Sequence, residues 1–268
     1  MKQFEFGFLG CGNMGGALAL AASRVLSSEA LAVCDASLEK TEALVSTKKA
    51  TRLSFEDIAR ESKYLFLAVK PQSFEGVFAQ LRPILQARID HFVLVSIAAG
   101  ITVEKIHALS GVDCPIIRMM PNTPVGVGEG MILYTTSKDT TEDDIKGFLE
   151  GLSCAGRLDA IPESLMDAAG ALSGCGPAFV YLFAEALADG GVQCGLPRDK
   201  AQVYAAQTLL GAARMMIETG KHPGELKDAV CSPGGTTIEG VHALEAGAFR
   251  ATASSAVIAA FEKTAKLK

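Results

Sequence analysis

Tryptophan is absent from this 268-residue chain, histidine occurs four times, and there is no CxxC pair, no basic run and no long apolar run. Without paired cysteines or histidines at ligand spacing, no zinc or other metal site is expected. The seven cysteines, Cys11, Cys34, Cys114, Cys154, Cys175, Cys194 and Cys231, are odd in number and scattered, which favours buried reduced thiols over disulfides. A balance of 25 Lys plus Arg against 30 Asp plus Glu argues against nucleic acid or an anionic membrane surface as partner. Lys2, Gln3 and Glu5 interrupt the first apolar stretch, and no run of about eighteen apolar residues follows. Neither a secretory signal nor a membrane span is expected, and a cytoplasmic location follows.

What the chain does have is glycine in a particular place. Phe4 to Gly15 reads FEFGFLGCGNMG: an apolar strand, three glycines, then the helical pattern of Ala17 to Val25. In a strand–turn–helix of this spacing Gly10 makes the tight turn, Gly12 lets a pyrophosphate approach the backbone, and Gly15 lets helix and strand pack closely. The helix start adds free N–H groups and a partial positive charge for the phosphates. The run Leu31 to Cys34 then ends at Asp35, twenty residues past Gly15, where the fingerprint places an acid for the ribose hydroxyls of NAD. Ser37 and Lys40 follow closely and offer an alternative grip on a 2′-phosphate.

Further strand-length runs punctuate the first half. Tyr64 to Val69 leads into Lys70 and Pro71, Phe92 to Ile97 into Ala98-Ala99-Gly100, and Ile116 to Met119 into Met120-Pro121-Asn122-Thr123-Pro124. Ligands of a doubly wound sheet lie beyond the carboxyl ends of its strands, so Lys70 is expected beside the cofactor and Ala98 leaves room for a flat ring. Pro71 biases Lys70 toward extended backbone. The two prolines around Asn122 predict a stiff loop of the kind a site needs, followed by a flexible stretch from Gly126 to Gly130. Strands at Met131 to Tyr134 and Leu158 to Ile161 and a helix from Thr141 to Leu152 complete a dinucleotide-binding domain over 1–162.

From 163 to 268 the period changes. Helix-length stretches rich in Ala, Leu and Met run from Ser164 to Leu172, Pro177 to Cys194, Pro197 to Thr219 and Phe249 to Leu267. Ala205, Leu209, Ala212 and Met216 form one apolar stripe with Ala206, Leu210 and Ala213 beside it, too much for a self-contained thin bundle. A homodimer through this domain is expected. Cys231-Ser232-Pro233-Gly234-Gly235-Thr236-Thr237 interrupts the helices, and its open backbone, helix start and hydroxyls read as a nest for a carboxylate. His222 and His242 read as capping or helix-surface residues.

Taken in order, GCGNMG, LAVKPQ (Leu67 to Gln72), SIAAGIT (Ser96 to Thr102), RMMPNTPVGVGEG (Arg118 to Gly130), ALSGCGPAF (Ala171 to Phe179) and SPGGTTIEGVHALE (Ser232 to Glu245) resemble pyrroline-5-carboxylate reductase over nearly the whole chain. The resemblance implies a Rossmann-type doubly wound sheet followed by an all-helical dimerisation domain, an arrangement like that of 6-phosphogluconate dehydrogenase. It also implies hydride transfer from NADPH or NADH to the cyclic imine 1-pyrroline-5-carboxylate, giving L-proline in the last step of proline biosynthesis, and dimers that can assemble into larger rings. By position, Leu9, Gly10, Cys11, Gly12, Asn13 and Met14, with Ala68, Val69, Lys70 and Pro71, would contact the cofactor, and Ala98 would lie near the nicotinamide. Ser232, Pro233, Gly234, Gly235, Thr236 and Thr237 would hold the substrate carboxylate and ring nitrogen. Many members of that family carry a small, uncharged or basic residue where Asp35 stands, so the choice of nucleotide stays open.

Reducing a C=N bond needs a placed hydride and a nitrogen that is protonated or hydrogen-bonded, so positioning and one donor matter more than a strong base. Thr237 is the expected donor, with a modest effect. A 3-hydroxyacid dehydrogenase of similar architecture would need a lysine on the helix after the turn Gly174 to Gly176, and Ala178-Phe179-Val180-Tyr181 supplies none. A sensor that only bound the nucleotide would have no use for the nest at Ser232 to Thr237.

Overall fold

The computed structural model describes residues 4–265. The chain divides into two compact units, one of residues up to Cys175 together with those from Ala260 onward, the other Gly176–Ala259.

The first unit is built on one eight-stranded sheet. Its strands are β1 Phe4–Leu9, β2 Leu31–Cys34, β3 Thr51–Arg52, β4 Ser62–Leu67, β5 Val93–Ser96, β6 Ile116–Met120, β7 Gly130–Thr136 and β8 Gly156–Ala160. They lie in the order β3-β2-β1-β4-β5-β6-β7-β8, parallel except for the β6–β7 pair. The first six follow the 3-2-1-4-5-6 order of a doubly wound dinucleotide fold. Each face buries its own core. On one side α1 (Asn13–Ala22), α2 (Leu38–Ser46) and α6 (Glu142–Gly151) cover Phe6, Phe8, Tyr64 and Phe66; on the other, α3 (Phe55–Glu61), α4 (Phe74–Gln86) and α5 (Val103–Ser110) cover Leu9, Leu65, Leu67 and Leu94. Phe8 stacks on Phe66 at 4.2 Å and Phe6 meets Tyr64 edge-on at 5.2 Å, so the central strands are joined by side chains as well as by their ladder.

Helix α4 occupies the interval from Pro71 to Phe92, where the sequence analysis assigns no element. Phe74, Phe78, Leu81 and Leu85 are its buried stripe at helical spacing, while Gly76 and Pro83 inside it obscure the pattern. Two more expectations need correction. The stretch read as flexible from Gly126 to Gly130 is ordered: Thr123–Val127 is a 3-10 helix, closed by Gly128 in the left-handed region and running into β7. The cysteines are all free, but only Cys11 and Cys114 are buried, and Cys154, Cys175 and Cys194 are exposed.

Helix α6 shows how tightly a local start is held. Thr141 caps it by accepting from the Asp144 N–H, and Asp144 accepts in return from the Thr141 N–H at 3.0 Å and hydroxyl at 2.8 Å. His91 reaches the other oxygen of Asp144 at 2.7 Å, and the Tyr64 hydroxyl donates to its backbone carbonyl. Burial alone would raise the Asp144 pKa, but the bonds from His91 and Thr141 outweigh it and hold the carboxyl below its ordinary value. The stability this contributes is present above the unfolded pKa of about 3.9 and is lost as pH falls through the folded value. Asp144→Ala is therefore expected to cost about 2 kcal/mol at neutral pH. In urea titrations the gap to the native protein should close below about pH 4.

The second unit comprises α8 (Gly176–Gln193), α9 (Arg198–Thr219), α10 (Pro223–Val230), α11 (Thr236–Ala246) and most of α12, which spans Phe249–Ala265; α7 (Met166–Ser173) precedes it in the first unit. Helices α8 and α9 form a hairpin over a very small core of Ala188, Ala201 and Ala205, with an ion pair between Arg198 and Asp189. Gly220 closes α9 in the left-handed region, and Pro223 just beyond it is the first residue of α10, where a proline has no N–H bond to lose. Leu182 is 68% exposed, Val203 62% and Ile217 75%, so these helices leave most of their apolar surface uncovered. The helical stretch Glu163–Gln193 is, by length and composition alone, apolar enough to cross a membrane, although it holds no unbroken apolar run of that length.

Candidate active site

Strand β1 ends at Leu9, and the chain turns at once. Gly10 has φ +101°, and its N–H donates to the Cys34 carbonyl at 2.8 Å. A Cβ on Gly10 would stand 2.5 Å from the Ala68 carbonyl oxygen; one on Gly15 would stand 2.2 Å from the Gly10 carbonyl oxygen and 2.8 Å from the Ala68 Cβ. Both glycines are therefore fixed by contact with the chain itself. At Gly12 a Cβ would meet nothing within 4 Å. That opening lies at the N-cap of α1, where no side chain competes for the first N–H groups. A glycine needed by no neighbour, beside an uncapped helix start, is what a pyrophosphate requires.

Around this turn lies a cavity of about 500 Å³. Of the residues expected at the cofactor, Leu9, Gly10, Gly12, Asp35, Ala68, Val69 and Lys70 line it. Cys11, Asn13, Met14, Pro71 and Ala98 do not: Met14 packs on the core, Pro71 opens the 3-10 turn Pro71–Ser73, and the Ala98 side chain sits in the core on the α4 side. Phe55 on α3 with Val77 and Gln80 on α4 also line the cavity, and the sequence analysis did not name them. The stripe of Phe74, Phe78, Leu81 and Leu85 could have placed Val77 and Gln80 on a helix, and the Ser54 cap could have placed Phe55.

Asp35 is anchored at the mouth of the turn. Its Oδ2 accepts from the Cys11 N–H at 2.8 Å and its Oδ1 from the Ser37 N–H at 2.9 Å, with Lys40 Nζ 3.4 Å from Oδ1. Burial would raise its pKa, but the Ser37 and Cys11 bonds and the Lys40 charge together hold the carboxyl below its ordinary value. Burial, with Asp35 adding to it, pushes the Cys11 thiol up to about 12. At that value the Cys11 thiol stays protonated near neutral pH and is not a nucleophile.

The nest in the second unit is a separate helix start. Gly234 has φ +65°, and the Gly235 N–H donates to the Ser232 carbonyl at 3.0 Å. Gly235 is the N-cap of α11, again without a side-chain cap, and Thr236 and Thr237 form its exposed first turn. A Cβ on Gly235 would stand 2.3 Å from Ser232 Oγ, so the turn is closed on itself by that glycine. The free N–H groups and two hydroxyls suit a carboxylate and a neighbouring polar atom. His222 caps α10 by accepting from the Gly224 N–H, and His242 is exposed on α11.

Asn122 stiffens the loop that its two flanking prolines predict. Its Oδ1 accepts from the Met131 N–H at 2.9 Å and its Nδ2 donates to the Ser173 carbonyl at 3.0 Å, so the side chain is committed to holding the loop. Arg118 emerges as a buried hub instead. It donates to Glu163 at 2.9 Å and Asp167 at 3.2 Å, and the same Glu163 oxygen accepts from the Val103 N–H at the start of α5.

Helix α8 carries no lysine, as expected from its sequence. A family profile described as pyrroline-5-carboxylate reductase dimerisation matches residues 163–267, and one described as NADP oxidoreductase, coenzyme F420-dependent, matches residues 5–100. The pyrroline-5-carboxylate reductase of Glycine max is 41% identical over 99% of this chain and 97% of its own length; that of Escherichia coli strain K12 is 39% identical over 98% of each. Among solved structures, the pyrroline carboxylate reductase of Plasmodium falciparum with NADP bound is similar at a TM-score of 0.87 and 34% identity, covering 98% of each chain.

Proposed function

Because the chain belongs to the pyrroline-5-carboxylate reductase family, we propose that the turn from Gly10 to Gly15 holds the nicotinamide nucleotide and the turn from Ser232 to Thr237 holds the substrate. The reaction is reduction of the cyclic imine 1-pyrroline-5-carboxylate to L-proline by NAD(P)H, the last step of proline biosynthesis. The observation that carries the assignment of the nucleotide is Gly12, open on its outer side at an uncapped helix start between two glycines that the fold itself requires.

When bound, the nucleotide supplies a hydride to the imine carbon. The chain supplies the rest. N–H groups at the start of α11 bind the substrate carboxylate, which fixes the ring against rotation. The Thr237 hydroxyl donates to the ring nitrogen as it becomes an amine, a role within reach of an exposed residue in the first turn of that helix. Where the imine arrives already protonated, hydride transfer alone completes the amine, and Thr237 contributes one hydrogen bond to the lone pair that develops on nitrogen. Thr237→Ala is expected to lower kcat/KM about tenfold, the worth of such a bond. Unchanged turnover and substrate affinity would remove Thr237 from the mechanism.

The boundary between the nucleotide-binding and helical domains falls at 162/163 in this reading. The exposed apolar residues of α8 and α9 support a homodimer through the helical domain, with larger rings built from such dimers. A groove of about 790 Å³ along α8 and α9, lined in part by Tyr181, Glu185 and Arg198, belongs to the same uncovered surface. Covering by a second copy also accounts for the apolar stretch Glu163–Gln193 without a membrane, and fits a cytoplasmic enzyme. Light scattering is expected to give a mass at least twice 28.0 kDa.

The decisive assay is the loss of nicotinamide absorbance when purified protein meets 1-pyrroline-5-carboxylate. Rapid oxidation of NADH or NADPH is expected. A folded dimer that oxidised neither would overturn the reading.

A further inference from the structure

The adenosine end of the nucleotide cavity carries a fixed negative charge. Asp35 stands at the carboxyl end of β2 and lines the same cavity as Gly10 and Gly12. We propose that Asp35 makes this chain select NADH over NADPH, accepting the hydroxyls of the adenosine ribose and repelling a 2′-phosphate. The inference rests on the glycine turn being the nucleotide site.

Three observations carry it. First, the carboxylate cannot swing aside. Its two oxygens are held by different backbone donors, Cys11 N–H on Oδ2 and Ser37 N–H on Oδ1, and the side chain is only 9% exposed. Moving it would strip the glycine turn of one bond and the start of α2 of another. Each oxygen keeps a lone pair for a ribose hydroxyl, so NADH gains acceptors that are already oriented.

Second, the cation beside it is already matched. Lys40 Nζ lies 3.4 Å from Asp35 Oδ1, and the pair together presents no surplus positive charge to a phosphate dianion.

Third, the other cation of the cavity stands at the wrong strand. Lys70 follows β4, and β1 lies between β4 and β2. Two sheet spacings separate the ends of β2 and β4, about 10 Å. No arginine is among the residues lining the cavity, so the planar, bidentate grip that suits a 2′-phosphate is not available there.

The test is equilibrium binding without substrate. Calorimetric titration of the purified native protein with NADH and with NADPH at physiological salt is expected to show NADH tighter by about tenfold or more, as a like charge across a contact demands. Asp35→Asn, which keeps the shape and removes the charge, and Asp35→Ser, which opens the space, should each weaken NADH and strengthen NADPH, shrinking the ratio about tenfold. Melting temperatures of both variants, alone and with nucleotide, report whether they are folded. Native protein that binds NADPH as tightly as NADH would overturn the proposal, as would a ratio unchanged in both variants or no binding of either nucleotide. Its fate is separable from that of the reductase reading. Imine reduction with tight NADPH binding would sink the selectivity and keep the reductase; selective NADH binding with no imine turnover would do the opposite.

Discussion

Gly12→Ala is expected to fold like the native chain and to bind nicotinamide nucleotides about a hundredfold more weakly, the scale of effect when a group is displaced by about 1 Å. The added Cβ meets nothing within 4 Å, and Gly12 has φ −65° and ψ −167°, an extended conformation open to alanine. Removing a glycine from the unfolded chain stabilises by about 0.4–1 kcal/mol where the backbone allows it, so the melting temperature should hold or rise slightly. The methyl group instead fills the space through which a pyrophosphate approaches the N–H groups of α1. Gly15→Ala is the contrasting control. Its Cβ would stand 2.2 Å from a backbone oxygen of the same turn, and relief requires α1 to lift from the sheet. That variant should lose both nucleotide binding and thermal stability. Calorimetry and thermal unfolding on the two proteins separate a glycine needed by the ligand from one needed by the fold. Normal NADH and NADPH affinity in Gly12→Ala would show that the phosphates lie elsewhere.

Arg118→Met is expected to cost about 3 kcal/mol of stability, the loss typical of removing one member of a buried charge network. Arg118 is 2% exposed, and its guanidinium holds Glu163 and Asp167, whose carboxylates are left buried or half-buried without it. The partial exposure of Glu163 keeps the cost at the lower end. Glu163 also accepts from the Val103 N–H, so the start of α5 loosens with it. Arg118→Lys keeps the charge but cannot fork between two carboxylates, and should recover only part of the loss. Chemical denaturation of the three proteins checks the order native, Lys, Met. Equal stability of native and Met proteins would mean the network offsets only its own desolvation.

The sequence made the nucleotide half legible wherever a residue had one physical use. The spacing of Gly10 and Gly15 follows from what a tight turn and a close helix–strand contact demand. Strand ends were less sharp: Ala68 and Val69 read as the end of a strand, but β4 stops at Leu67, which frees both to fold over the glycine turn. Helix α4 was hidden because Gly76 and Pro83 are breakers taken singly, whereas burial of Phe74, Phe78, Leu81 and Leu85 overrides them together. The antiparallel setting of β7 follows from the short link through the 3-10 helix Thr123–Val127, which leaves no room for a parallel crossover. The partners of Asn122 were not legible for a related reason. A polar residue between prolines looks the same whether it faces a ligand or two distant backbone groups.

The close seating of Gly10 and Gly15 on Ala68 has a consequence for how the protein is made. The glycine turn leaves the ribosome before the surface that shapes it, which is translated more than fifty residues later. At about 5–20 residues per second, the turn waits several seconds for its template. Strand β1 waits as well, since its ladder to β4 needs Ser62–Leu67. Until β4 is in place the turn lacks the surface on which Gly10 and Gly15 seat, so its order comes with that strand.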